Sequence, residues 1–568
     1  MMAGPYQVTG KNQAALFTLK IHRGEGMALL AMNWKQGRPT DDFVGFAIEY
    51  REPGNDRWLV ARNRLSFTER PNPQGLRSFP TTIAPIQKFR WIIFPFNADL
   101  SGDFTFRVTP VFMETDGRLS NGEPQIAEIE LASETYPGQL NVTFTRGYVA
   151  SQAFVDTYEA AGPISTLLPK SSKKGLTFTP THPLADKAYA WMGFEARREI
   201  LKLLDQAIAG TGDVWVVAYD LSQSHVVDRL EKLGARLSIV IDDSGEHAEH
   251  GSGESQAETK LKAAGAKVVR QRMKNLQHNK MIVAEGNVNR AVCGSTNFTW
   301  RGLFVQSNNA ILVSGKKAIA PFKVAAETYF KDGASNSATT FGTTPSAIWQ
   351  KVDLPGIDVS VTFSPHEAGN AALAAIAADV RTAKSSLLYS LAFLHQTRGD
   401  IRDAVGAVTN SPVFTYGISD KETAVELDSP DGNIVPVYFS RLSKNVPPPF
   451  KHEPDSGMGT NMHHKFLVID FDKPSARVYT GSYNFSKPAD RQNGENLLLI
   501  RDRRIATSYM VEALRIFDHY QFRIAQQDAA KAKRTLELKP PPSTPGQTPW
   551  WLDDFTVPHR IRDREVFA

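Results

Sequence analysis

The chain has 568 residues, of which 41% are hydrophobic and 22% charged, and a formal net charge of +5; this is the composition of a globular protein with three or four domain-sized units. Its single cysteine, Cys293, excludes an internal disulfide framework. No apolar run approaches membrane-spanning length and the opening Met1-Met-Ala-Gly-Pro-Tyr has no signal-peptide pattern, so a cytoplasmic protein is expected, with signal-less export left open.

Residues 1–145 carry short apolar stretches punctuated by Gly, Pro, Asn and Asp, with strands expected at 28–34, 43–50, 90–94 and 104–112. Long helices are absent from this pattern, which predicts an all-β sandwich. Its spacing resembles fibronectin type III or immunoglobulin-like domains, which implies a binding or positioning module; a protein partner for it is unknown. Residues 146–180, with Lys170, Lys173 and Lys174, read as a solvated linker.

Strand–helix alternation of the α/β type then begins in a first half, 181–345. Helices are expected at 187–209, 226–233, 257–264 and 317–331, and strands at 213–219, 237–241 and 267–269. The run Gly245-Glu-His-Ala-Glu-His250 has metal-ligand residue types, but its setting predicts a flexible surface loop. The pattern restarts in a second half, 346–530, with strands at 359–363, 386–393 and 413–416, helices at 371–383 and 400–408, and a long closing helix at 503–526. A Pro/Gly-rich stretch, 445–459, with Phe450 and Met458, reads as a pocket cover, a lipid contact or a plain loop. The tail, 531–568, is Pro-rich and is expected to dock back through Trp550 and Trp551.

Each half contains the same polar series. The first has His278-Asn-Lys280, then Glu285, then Gly294-Ser-Thr-Asn297, then Asn308; the second has His463-His-Lys465, then Asp470, then Gly481-Ser-Tyr-Asn484, then Glu495. His and Lys two apart share one face of a strand. The acid follows the Lys by five residues and a polar residue follows the Asn by eleven in both copies. Internal repetition of polar types at fixed offsets marks a duplicated functional unit, because such groups are costly to desolvate for packing alone.

This duplicated His-x-Lys-x4-Asp with Gly-Ser-x-Asn resembles the phospholipase D superfamily over roughly residues 180–530. Glu285 departs from the usual Asp. The resemblance implies two similar α/β halves forming a bilobal catalytic unit, with both motifs at the seam. It implies a phosphodiesterase in which one imidazole attacks phosphorus and the other serves as acid and base. Lys280 and Lys465 would flank the developing charge, Asn297 and Asn484 would add neutral donors, and neither a metal nor another cofactor is called for. If Glu495 and Asn308 each orient the imidazole of their own half, Glu495 favours the charged form of His463 and Asn308 leaves His278 neutral. That makes His278 the nucleophile and His463 the acid/base. The substrate is an anionic phosphodiester: a phospholipid head group, or a nucleic acid as the alternative. A non-catalytic binding protein is the third reading.

Overall fold

Along the stretches 17–21 and 104–108 every second residue is apolar, the period that turns one face of a strand inward. In the computed structural model, which describes residues 4–68, 78–147, 151–334, 340–391, 394, 399–421, 424–431, 434–438 and 462–568, these strands form two facing sheets. One has the spatial order Gln7–Thr9, Phe17–Gly24, Met27–Trp34, Arg90–Ile93. The other is built on Phe43–Arg51 and Asp103–Met113. Phe17, Phe43, Phe46, Phe104 and Phe106 fill the space between them, so the N-terminal region is an all-β sandwich.

The tail completes this core. Trp551 is 1% exposed among the sandwich residues, and the Trp550 ring stacks on Phe89 at 5.4 Å. Their indole N–H groups donate to the carbonyls of Phe43 (from Trp550, 3.0 Å) and Thr40 (from Trp551, 3.3 Å). Beyond them the helix Pro558–Val566 places Asp563 2.7 Å from Arg90, which also reaches Asp518 of the helix Arg503–Lys531 at 2.6 Å. The tail thus straps the sandwich to the second half. Trp551→Ala should lose about 3–5 kcal/mol, the cost of truncating a buried aromatic. Chemical denaturation of the full-length protein measures this; a loss under about 1 kcal/mol would mean that the indole is not part of the core.

The two halves share one sheet order. In the first, Val214–Ala218 runs parallel to Leu237–Asp242 and antiparallel to Lys280–Ala284, followed outward by Arg290–Gly294 and Asn309–Ser314. In the second, Ser386–Leu391 runs parallel to Phe414–Lys421 and antiparallel to Lys465–Ile469, followed by Arg477–Gly481 and Glu495–Arg501. Each half is an α/β unit, and the pair forms the bilobal body expected from the repeat.

Differences from the sequence reading have physical causes. Leu140–Phe144 pairs antiparallel with 309–313 at the end of the first half's sheet, because its five residues are buried on both faces and need covering on both sides. The segment 151–178 is not a solvated linker. Tyr158, Ile164 and Leu167 are buried in the core of the first half, while Lys170, Lys173 and Lys174 stay exposed. In the second half the sheet extends past Phe414–Lys421 through Ala424–Asp428 and Ile434–Tyr438. The stretch 445–459 lies outside the described residues.

Across the seam the halves bond reciprocally. The amide N–H of Gly494 donates to the carbonyl of Leu276 at 2.9 Å and that of His463 to the carbonyl of Ser307 at 3.2 Å. Asn496 Nδ2 donates to Asn279 Oδ1 at 2.6 Å, and Asn309 Nδ2 to Thr480 Oγ1 at 3.1 Å.

Candidate active site

Lys280 and Lys465 open the central strands of their halves, and each ammonium donates to the carbonyl of the His two residues before it, at 2.8 Å for Lys465. A side chain folded onto its own strand end lies beside that histidine. The neighbouring strands end at Gly294 and Gly481, with φ of 145° and 140°. A Cβ at Gly294 would stand 2.6 Å from the carbonyl oxygen of Asn309, and one at Gly481 would meet that of Asn496, so only glycine brings the next residues into the seam. Ser295 and Ser482 follow. Ser295 Oγ donates to Asn308 Oδ1 at 2.9 Å, and Ser482 Oγ to Glu495 Oε2 at 2.7 Å.

The histidines of the two halves face each other with ring centroids 6.3 Å apart. His278 is 5% exposed and His463 7%. The expectation that Asn308 and Glu495 each serve their own half is corrected: the pairing crosses the seam. His278 Nδ1 lies 2.8 and 2.9 Å from the two oxygens of Glu495. His463 Nδ1 lies 2.7 Å from Asn308 Oδ1 and 3.0 Å from the Ser295 carbonyl. The offset of eleven fixes where the partner sits on its own sheet, but the twofold arrangement of the halves turns it toward the opposite histidine. All these partners are acceptors, since Asn308 Nδ2 is spent on the Gly302 carbonyl at 2.8 Å. Each ring therefore carries its proton on Nδ1 and keeps Nε2 for chemistry.

Charge is distributed unequally. Burial pushes His463 well below the ordinary imidazole pKa, and Lys465, Lys280 and His278 add to this. Burial also lowers His278, but the Glu495 carboxylate works against it. Glu495 is 0% exposed; burial opposes its ionisation, yet His278, Lys280 and Ser482 hold its carboxyl below the usual range. Burial pushes Lys280 down to about 8, against the pull of Glu495, Asp220 and Asp242.

Of the other sequence candidates, Asn297 is buried and donates from Nδ2 to Asp220 Oδ2 at 2.6 Å. Asn484 is half-buried, and its Oδ1 has no partner among the described residues. Asp470 and Glu285 are not gathered into the cleft. Each lies five residues from its lysine, about 16 Å along a strand. Asp470, with φ of 54°, accepts from the amides of Lys384 and Ser385, both at 2.8 Å, and so pins the adjoining loop. Glu285 pairs with Lys323 on the helix Ala320–Ala334 at 2.5 Å; the longer carboxylate reaches a side chain instead of backbone amides.

The sequence reading missed a second group beside the cleft. Residues 245–248 form a turn of 3-10 helix, not a free loop. His247 places Nε2 2.7 Å from Asp220 and Nδ1 2.8 Å from Asp242. Burial opposes its charge, but those two hydrogen bonds prevail and raise it to about 10. Asp220, His247 and Glu254 bring one potential ligand atom each within 4.8 Å; a ring donating from both nitrogens has no lone pair to offer a cation. The Tyr219 ring lies between, 4.6 Å from that of His247 and 4.7 Å from that of His278, with the Lys280 ammonium 4.7 Å from its centroid. No spacing ties these residues to the repeated motif; the signal in the sequence is the run 245–250, with its metal-ligand residue types, in a setting that reads as a surface loop.

Comparison with known proteins agrees with this duplicated geometry. The family model "Cardiolipin synthase, PLD-like domain" matches residues 200–330 and again 378–517. A phospholipase D of Rickettsia prowazekii is 48% identical over 48 residues, 8% of this chain and 22% of that protein. A mitochondrial cardiolipin hydrolase of Xenopus tropicalis is 39% identical over 70 residues, 12% of this chain and 30% of that protein. The chain thus spans less than a third of the length of either relative. Among solved structures, phosphatidylserine synthase of Haemophilus influenzae aligns with a TM-score of 0.42 and 12% identity, over 60% of this chain and 92% of that one.

Proposed function

The chain belongs, through residues 200–330 and 378–517, to the phospholipase D superfamily, and on that premise we propose that it is a phosphodiesterase that cleaves a phospholipid head group through a covalent phosphohistidine. The observation that carries this reading is the pair of buried imidazoles 6.3 Å apart, each with Nδ1 committed and Nε2 spare, beside two buried ammonium groups.

His278 is the nucleophile, for a reason other than the one the spacing suggested. When Nε2 forms a bond to phosphorus, the ring takes positive charge, and the Glu495 carboxylate at 2.8 Å compensates it. His463, which faces a neutral amide, carries a proton loosely. An anionic phosphodiester seated between Lys280 and Lys465 offsets the cations that depress its pKa and lets it charge. As the phosphorus–oxygen bond breaks, His463 Nε2 gives its proton to the leaving oxygen. It then takes a proton from the water that attacks phosphorus and breaks the nitrogen–phosphorus bond. The lysines stabilise the charge gathering on the phosphoryl oxygens.

A phospholipid substrate is supported by the names of the two relatives, a phospholipase D and a cardiolipin hydrolase, and by that of the matching family. Purified full-length protein is expected to release phosphatidic acid from phosphatidylcholine or cardiolipin vesicles, with EDTA present. Cleavage of single-stranded DNA alone would transfer the same chemistry to nucleic acid. Turnover of neither lipid nor DNA, nor of bis(p-nitrophenyl) phosphate, would remove the enzymatic reading.

A further inference from the structure

We propose that Asp220 and His247 are a positioning pair for the cleft wall of the first half, acting on turnover through Asn297; this rests on the phosphodiesterase reading above. Asn297 is 5% exposed. One of its two Nδ2 protons goes to Asp220 Oδ2 at 2.6 Å, and its Oδ1 has no partner among the described residues. An amide held this way cannot exchange its oxygen and nitrogen, because Oδ1 would then oppose the carboxylate. The second N–H is thereby fixed in direction.

Asp220 is itself held, its Oδ1 lying 2.7 Å from His247 Nε2. The other ring nitrogen faces Asp242, which is 0% exposed and whose second oxygen accepts from the Gln277 amide at 2.6 Å. Gln277 immediately precedes His278. The imidazolium between two carboxylates therefore joins the end of the strand Leu237–Asp242, the end of Val214–Ala218 and the backbone entering His278. Asn484, the counterpart of Asn297, has no such clamp among the described residues. The two amides thus differ: one is a fixed donor and the other is left to adapt to the substrate. The simpler alternative is that the ion-pair chain only anchors the turn 245–248.

A double-mutant cycle in the full-length protein separates the two. With bis(p-nitrophenyl) phosphate, Asp220→Asn should lower kcat about 10- to 100-fold, the usual effect of losing an orienting partner, with KM within about threefold. In an Asn297→Ala background the same change should cost less than about twofold, since the group it orients is gone. His247→Gln should follow the same pattern and keeps the proposal testable if Asp220→Asn does not fold. Losses that add across the cycle would overturn it. Orthovanadate binding, measured in parallel, carries the same cycle without turnover: an inactive wild type would sink the phosphodiesterase reading while vanadate still judged the pair. Nitrogen-15 histidine spectra should also show an imidazolium persisting above pH 8 that Asp220→Asn removes, in keeping with a pKa of about 10; absence of that signal overturns the pair.

Discussion

Replacing His278 by Asn is expected to lower turnover by at least about 10⁴-fold, because removing one member of a concerted catalytic set costs nearly as much as removing all of it. His463→Asn should be comparably slow in steady state but should behave differently before it. With an activated aryl phosphodiester the leaving group needs no proton, so His278 still attacks and the phospho-enzyme accumulates. Acid quench and peptide mass spectrometry should place the phosphoryl group on His278 in the His463→Asn protein, and none should be found in His278→Asn. An adduct on His463 in the latter protein would reverse the roles. Glu495→Gln should fall between, with adduct formation slowed about 10²- to 10³-fold, because the ring charge created on attack loses its carboxylate. The same carboxylate is 0% exposed and bonded to Ser482 at 2.7 Å and Asn493 at 3.2 Å. Gln keeps the shape but only one acceptor oxygen, so its amide nitrogen must face one of these donors; a thermal melt of the variant measures that cost separately from the rate defect.

Where the sequence succeeded and where it did not follows from how far each relation reaches along the chain. His278 with Lys280, and His463 with Lys465, are two residues apart, and strand geometry alone puts them together. The halves were legible because strand–helix alternation repeats around those motifs. The partner of each imidazole was not, since the contact from His278 to Glu495 spans 217 positions and depends on how two sheets meet. A fixed offset within a half names the right residues and gives no information about which neighbour they face. His247 was missed for a related reason. Its acidic and glycine-rich surroundings read as solvent-exposed, and only the meeting of the strands ending at Ala218 and Asp242 supplies the two carboxylates that bury its charge. The segment 151–178 misled because its lysines are conspicuous, whereas the buried pairs Phe154/Tyr158 and Ile164/Leu167 lie on a single short helix and a 3-10 turn, too brief for a period to stand out. Glu285 and Asp470 show the opposite error: their place in the motif suggested chemistry, while their distance along the strand assigns them to its far end.

The second large effect concerns Lys280, whose charge is both needed and weakly held. Lys280→Met should reduce kcat/KM about 10³-fold, the scale of losing a buried group that stabilises transition-state charge. In the wild type the same charge should fail with pH. Burial pushes this ammonium from 10.5 to about 8, against Glu495, Asp220 and Asp242, so kcat/KM should fall about tenfold per pH unit above that value. Lys280→Arg keeps a guanidinium charged throughout this range, and its alkaline limb should move beyond about pH 10 even if its maximal rate is lower. A limb that stays near 8 in the Arg variant would belong to another group. Unfolding is separable by the sign of its own pH dependence. Between about 8 and 10.5 the folded protein holds fewer protons on Lys280 than the unfolded chain does, so this residue makes stability rise with pH in that window. Activity should therefore disappear just where the contribution of Lys280 to folding becomes more favourable. Titrating activity and thermal stability on one sample distinguishes the loss of a catalytic cation from loss of the fold.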